Sequence, residues 1–174
     1  SAKIQIEAIK EVDGFSREYM TYQAMASLNY SRDINDDSAK NEKDYYDSIS
    51  PDMREIYNRF DKVLHQSKFK SEIIDMFGDT FLNQIEINLK TFDSKIKGML
   101  KEEIELKNEY TELTAGAKIE FEGKEYNLAG LGPFHSNVNR SVRKESYEAR
   151  FSWFKSNEDE LDNIYDKLVN LRHK

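Results

Sequence analysis

The sequence of 174 residues contains no cysteine, only two prolines and only seven glycines. The absence of cysteine excludes disulfide bonds, iron–sulfur clusters, thiol catalysis and zinc sites with cysteine ligands. It is also typical of proteins from a reducing compartment, so we expect a cytoplasmic protein. No apolar run exceeds three residues, so no segment can cross a bilayer as a helix and we expect no membrane partner. The scarcity of proline and glycine favours long helices.

The charge of the chain is acidic, with 26 lysines and arginines against 33 aspartates and glutamates and a formal net charge of −7. A protein whose main role is to bind nucleic acid needs a basic face, so we expect no nucleic-acid partner. Ten phenylalanines and ten tyrosines supply more apolar surface than a disordered chain can leave in water. The composition therefore predicts a folded protein with a hydrophobic core.

Apolar residues recur every three or four positions over most of the chain, which predicts about six to seven helices. Ser50 and Pro51 have the residue types of an N-cap and a first helical position, so a helix is expected to begin there. Further on, Gly78 lies inside a helix that we expect to run from Phe69 to Leu89. One glycine weakens a helix by about 1 kcal/mol without ending it.

The hydrophobic period changes from helical to alternating in residues 117–128, around Gly123. Alternation on both sides of a short glycine-containing loop predicts a β-hairpin. A loop from Ala129 is expected to follow, and Asn139 then has the residue type that caps the next helix. Asn157 and Glu160 have the spacing of a capping box for the last helix.

The fold class is therefore mainly α, a helical bundle of about six to seven helices with one small β-hairpin. We expect an N-terminal helical domain over residues 1–115, a hairpin and loop over residues 116–136, and the start of a further helical region over residues 137–174. The apolar stripe of the last helix is still running at Lys174, with no residue of a C-cap after it. This pattern predicts a chain that has been truncated.

No catalytic constellation is recognisable from residue types and spacing. The three histidines are His65, His135 and His173, and none has the neighbours of a helical zinc site or of a di-metal carboxylate site. There is no nucleophile motif around a serine. The glycines at 130 and 132 lack the third glycine and the lysine of a phosphate-binding loop.

One long collinear pattern resembles the N-terminal region of the oligoendopeptidase F group, the zinc oligopeptidases of the M3 family. It includes the stretch from Glu109 to Leu128, EYTELTAGAKIEFEGKEYNL. The similarity covers most of the chain, strongly from about Phe69 onward. Further matching segments are residues 49–51, 89–92, 131–134, 139–144, 147–149, 157–162 and 168–174.

The resemblance implies an α-helical bowl with a deep channel that encloses short peptides. In that family zinc is held by the two histidines of His-Glu-x-x-His and by a later glutamate, and the glutamate of the motif is the general base. All of these belong to the C-terminal half, so no residue here receives a catalytic or metal-binding role. The implied role is the non-catalytic N-terminal part of a zinc oligoendopeptidase, a wall of the substrate channel. The isolated chain would be inactive.

The non-helical segments supply the candidate contacts to substrate or to the missing C-terminal catalytic lobe. The candidate substrate-binding residues are Phe121, Tyr126, Phe134 and His135. Removal of a docking lobe would expose apolar surface, so the fragment is also expected to self-associate through its C-terminal helices. The residues expected at that contact are Phe151, Trp153, Phe154, Leu161 and Leu168.

A different class of function stays open at this point. The chain could be a free-standing helical module that binds a peptide or a protein without catalysis. That reading requires a gene that stops near Lys174, whereas the peptidase reading requires a frame that continues to His-Glu-x-x-His.

Overall fold

A computed structural model describes all residues from Ser1 to Lys174. It contains eight α-helices, one short 3-10 helix over Ser94–Ile96 and one antiparallel hairpin, which confirms the predicted mainly α fold class. The helices are α1 Ala2–Arg32, α2 Asp37–His65, α3 Lys70–Phe77, α4 Asp79–Thr91, α5 Lys97–Ala115, α6 Gly132–His135, α7 Arg140–Ser156 and α8 Glu158–Arg172; the strands are β1 Ile119–Phe121 and β2 Lys124–Tyr126.

The chain divides into two compact units, Ser1–Lys101 and Glu102–Lys174. The three-part division expected from the sequence, with limits at residues 115 and 136, stays a prediction. None of the helices combines the length and the apolar character that crossing a lipid bilayer requires.

The core of the first unit is formed by one buried residue from each of its four α-helices. These residues are Ile9, Leu64, Ile73 and Ile85. Partly buried phenylalanines and leucines from α2, α3 and α4 surround them. Full burial of an aliphatic side chain contributes about 1.5–3 kcal/mol, so this cluster holds the four helices together.

The prediction that a helix begins at Pro51 is wrong, because α2 passes through this residue without a break. Pro51 has no N–H for the carbonyl of Asp47, one turn earlier. The Ser50 hydroxyl donates to that carbonyl oxygen at 3.2 Å, so Ser50 compensates inside the helix instead of capping it. Pro51 is fully buried, and its packing helps to offset the lost hydrogen bond.

The prediction of one helix from Phe69 to Leu89 is also wrong, because Gly78 separates α3 from α4. Gly78 has φ 83° and ψ 162°, a region that only glycine adopts without strain. Its N–H ends α3 by donating to the carbonyl of Ile74 at 2.7 Å. The change of direction lets Phe77 and Phe81 pack at a ring distance of 5.2 Å.

A charged cluster joins the first turn of α5 to the middle of α2. The Lys97 ammonium pairs with Asp52 and lies 3.0 Å from a carboxylate oxygen of Glu55. Hydrogen bonds from Lys97 lower the pKa of both carboxyl groups, and hydrogen bonds to them raise the pKa of Lys97. The cluster therefore positions the start of α5 within the first unit.

The predicted β-hairpin is confirmed. Strands β1 and β2 pair with Phe121 opposite Lys124 and with Glu120 opposite Glu125. The two loop residues, Glu122 and Gly123, have φ values of 49° and 75°. Two successive positive φ values are those of the type I′ turn that matches the twist of a hairpin.

The helix ends in the second unit agree only in part with the sequence. Asn139 caps α7 as predicted, with its side chain accepting from the N–H of Ser141 at 2.9 Å. The prediction of a capping box at Asn157 is wrong. The side-chain amide of Asn157 donates to the carbonyl of Trp153 at 2.7 Å and does not cap α8. The loop that was expected from Ala129 contains the short helix α6.

Candidate functional site

The hairpin packs on α6 and α7 through a cluster of aromatic rings. The Phe134 ring meets the Phe121 ring edge to face at 5.0 Å and the Tyr126 ring at 5.2 Å. Phe121 is buried, whereas Tyr126 and Phe134 are partly buried. With Ile119 and Leu131 these rings form the core of the second unit. The cluster fixes the hairpin to the helices beneath it.

A second row of rings continues from α6 along α7. The His135 imidazole stacks on the Tyr147 ring at 4.2 Å, with 13° between the planes, and Phe151 follows at 6.4 Å. Tyr147 and Phe151 are 45% and 62% exposed. The Nε2 atom of His135 is buried and has no hydrogen-bond partner. This aromatic row, His135–Tyr147–Phe151, gives the second unit a partly exposed surface of flat rings.

Two arginines of α7 hold the segments on either side of α6. Arg150 donates to the carbonyl of Leu128 at 3.2 Å. Arg143 donates to the carbonyls of Asn137 and Val138. Charge-assisted hydrogen bonds of this kind are stronger than neutral ones, so α7 determines the position of the segment that carries Phe134 and His135.

The hairpin has two free main-chain edges. In a two-residue hairpin the residues next to the turn exchange both of their main-chain hydrogen bonds, and the following pair exchanges none. The main-chain groups of Glu120 and Glu125 therefore point away from the partner strand. Helix α7 packs against β1, so we expect the free edge at Glu125 on β2 to be the more accessible one. An edge of this kind can accept an extended peptide.

An apolar groove lies on the helices of the second unit. It has a volume of about 410 Å³. Most of its lining is apolar or aromatic, with residues from α5, α7 and α8. We call it the α8 groove; it is lined by Tyr110, Phe154, Leu161, Asp162, Ile164, Tyr165 and Leu168.

The chain's own residues do not fit a zinc ion. His65 lies at the end of α2, His135 at the end of α6 and His173 after α8. The structure contains no group of three or more histidine, aspartate or glutamate side chains arranged to hold a metal.

The four candidate substrate-binding residues lie in neighbouring elements of one unit, but they do two different things. Phe121, Tyr126 and Phe134 make the ring cluster of the core, and His135 turns to the α7 side. Tyr147 and Phe151 were not among the candidates. Their spacing of four on α7 was a usable signal, because two exposed aromatic residues recur there on one face of a helix.

Comparison with protein families gives one match. The model described as the peptidase M3 N-terminal domain matches residues 1–92, more than half of the chain. A comparison with curated protein sequences gives no significant match.

Comparison with solved structures gives three similar peptidases, each covering 99% of this chain. A protein assigned as an oligoendopeptidase F has a TM-score of 0.94 and 38% identity. PZ peptidase A, solved with an inhibitor, has a TM-score of 0.94 and 36% identity. A protein assigned as an oligoendopeptidase F from Bacillus anthracis strain Ames has a TM-score of 0.93 and 32% identity.

The match extends over only part of each of these larger proteins. The chain spans 30%, 31% and 32% of their respective lengths. The similarity therefore includes both compact units of this chain and leaves about two thirds of each relative without a counterpart here.

Proposed function

Because the chain belongs to the M3 peptidase family, by its N-terminal domain, we propose that it is the N-terminal, non-catalytic part of a zinc-dependent oligoendopeptidase. Such an enzyme hydrolyses internal bonds of short peptides, and this part would form one wall of the substrate channel. The zinc and its general base would belong to polypeptide outside this chain. A cytoplasmic location is part of the same proposal.

The observation that carries the proposal is the similarity over nearly the whole chain. Three structures described as peptidases match 99% of it at 32% to 38% identity. The aligned region includes the hairpin and α7 as well as the segment that the family model matches. Both compact units are therefore accounted for by one kind of relative.

We propose that the wall contributes its hairpin to peptide binding. The free edge of β2 offers the N–H and C=O of Glu125 to an extended peptide, whose main chain would add as a third strand. The partly exposed row of His135, Tyr147 and Phe151 would supply shallow contacts for side chains. Phe121, Tyr126 and Phe134 would act by holding this edge in place.

The test of the function compares the 174-residue chain with the complete product of its reading frame. Both are assayed on a short internally quenched peptide, with and without a chelator. We expect cleavage that the chelator abolishes from the complete product and none from the 174-residue chain. Chelator-sensitive cleavage by the 174-residue chain alone would contradict the assignment of a non-catalytic part.

The same experiment distinguishes the other class of function. If the reading frame stops near Lys174, no peptidase half exists and the free-standing binding module takes the place of this proposal. If it continues to His-Glu-x-x-His on a helix, the complete product is the enzyme to assay.

The role of the hairpin edge has its own pair of variants. Glu125→Pro removes the N–H at the accessible edge without removing a hairpin hydrogen bond, and Glu120→Pro is the matched change at the opposite edge. In the complete enzyme we expect Glu125→Pro to raise KM with little change in kcat, and Glu120→Pro to leave both near wild type. Equal KM values for both variants and the wild type, with unchanged circular dichroism, would refute the edge contact.

A further inference from the structure

A small polar cavity lies between α2 and α4, within the first unit. Its volume is about 190 Å³. Two successive turns of α2 supply one side and the last turn of α4 supplies the other. The lining residues are Arg54, Tyr57, Asn58, Asp61, Asn88, Thr91 and Phe92.

The most buried polar side chain in this lining lacks a partner. Asn58 is 6% exposed, and its buried Nδ2 atom donates to no protein group. A buried amide donor without an acceptor is costly, and such a group requires an explanation. The Tyr57 hydroxyl is buried and unpartnered as well. A ligand that offers an acceptor oxygen near Asn58 would remove this cost.

The two ends of the cavity carry opposite charges that are not paired with each other. The Arg54 guanidinium lies over the Phe92 ring at 5.4 Å, and no carboxylate pairs with it. At the other end, an oxygen of Asp61 accepts from the Asn88 amide at 3.0 Å, and no lysine, arginine or histidine pairs with it. Burial raises the pKa of Asp61, which is the expected effect on a carboxylate that lacks a cation.

The distance between these charges selects the length of a ligand. Arg54 and Asp61 are seven residues apart on α2, which corresponds to about 10.5 Å along the axis. Side chains on a helix tend to lean toward its start, and the longer arginine side chain reaches further in that direction than aspartate does, so we expect the charges to be farther apart than the axial separation. With a hydrogen bond at each terminus, a free amino acid spans about 9 Å and an extended dipeptide about 13 Å. The separation therefore favours two residues.

We propose that this cavity binds a dipeptide with free termini. Its carboxylate pairs with Arg54, its ammonium group pairs with Asp61, and its central carbonyl oxygen accepts from Asn58. The inference does not rest on the proposed peptidase function, because all of the residues involved belong to this chain and to its first unit.

The experiment is a titration of the 174-residue chain with alanylalanine, followed by the NMR signals of the Asn58 side-chain amide. We expect a saturable shift. N-acetyl-alanylalanine lacks the ammonium group, alanylalanine amide lacks the carboxylate, and free alanine is too short. Loss of one charge-assisted contact weakens binding by about tenfold or more, so each of the three should bind at least that much more weakly.

Variants identify the contacts. Arg54→Gln and Asp61→Asn should each raise the dissociation constant for alanylalanine by about tenfold or more. Asp44→Asn and Lys62→Gln change exposed residues of the same helix and should leave it unchanged. Because Arg54 is exposed, its replacement tests the proposal even if Asp61→Asn unfolds the first unit.

Several results would overturn the proposal. If alanylalanine produced no saturable shift at Asn58, the cavity would contain water and bind no dipeptide. Equal binding of both blocked forms would exclude recognition of the termini, and equal binding of alanine would exclude the two-residue length. Unchanged affinity in folded Arg54→Gln would place any binding elsewhere.

Discussion

Replacement of Gly78 by alanine is expected to destabilise the first unit. Gly78 joins α3 to α4 with φ 83° and ψ 162°, and a residue with a Cβ atom pays about 1–3 kcal/mol to adopt that region. A Cβ atom at this position would meet no other atom within 4 Å. The whole cost is therefore conformational, with no contribution from a clash.

The chain supplies a matched control for this change. Gly14 lies within α1, and a Cβ atom there would also meet nothing within 4 Å. Its backbone is helical, so alanine should stabilise the helix by about 1 kcal/mol. The same substitution is thus expected to have opposite signs at the two positions.

The assay is urea unfolding followed by far-UV circular dichroism. A loss of about 2 kcal/mol with a slope of about 2 kcal/mol/M lowers the midpoint of the affected transition by about 1 M. Gly14→Ala should raise the midpoint instead. A Gly78→Ala variant as stable as the wild type would refute the reasoning, because it would mean that alanine adopts this conformation without strain or that α3 and α4 rearrange at no cost.

Three further changes test other features. Lys97→Met should raise the pKa of the Asp52 and Glu55 carboxyl groups toward ordinary values in an NMR titration. In the wild type their lowered pKa stabilises the fold above the unfolded-state pKa, and this stabilisation is lost as the pH falls through the folded-state pKa values. The variant lacks this stabilisation, so it should lose less stability in acid than the wild type does. Unchanged carboxyl pKa values would contradict the role of Lys97. Asn139→Ala should lower the free energy of unfolding by about 1 kcal/mol, measured by urea unfolding followed by Trp153 fluorescence. Asn163→Ala, an exposed change on α8, should not lower it, and equal losses in the two variants would contradict a stabilising role for the Asn139 cap. We also expect the 174-residue chain to self-associate through the α8 groove and Leu161→Glu to reduce this in sedimentation velocity, and a wild-type chain that stays monomeric at high concentration would contradict it.

Features that depend on a few neighbouring residues could be predicted from the sequence. The hairpin follows from alternation around Gly123, and the cap of α7 follows from Asn139. Both are local, because the turn and the cap are completed by main-chain groups within three residues. The family resemblance likewise depended on a collinear pattern of residues and needed no knowledge of packing.

Features that depend on packing could not be predicted in the same way. Pro51 has the residue type of a helix start, but it is buried within α2 and Ser50 satisfies the neighbouring carbonyl. A single glycine such as Gly78 is tolerated inside a helix, but the packing of α3 against α4 selects a non-helical conformation at this position. In each case the local preference was real and a tertiary contact outweighed it.

The candidate site shows the same division. The sequence placed Phe121, Tyr126 and Phe134 in one non-helical segment, and the structure brings their rings together. The stacking of His135 on Tyr147 joins residues that are twelve positions apart. It could not be predicted because it requires the angle between α6 and α7, which no local pattern specifies.

The register of the hairpin has a consequence for how this segment becomes ordered. Glu120 lies directly opposite Glu125, and like charges in that position repel each other. Two isolated strands of three residues are at best marginal in water, so a synthetic peptide of residues 117–128 should be unstructured. The strand edge exists only while α7 supports it, and a change on the helix can therefore alter the edge without touching either strand.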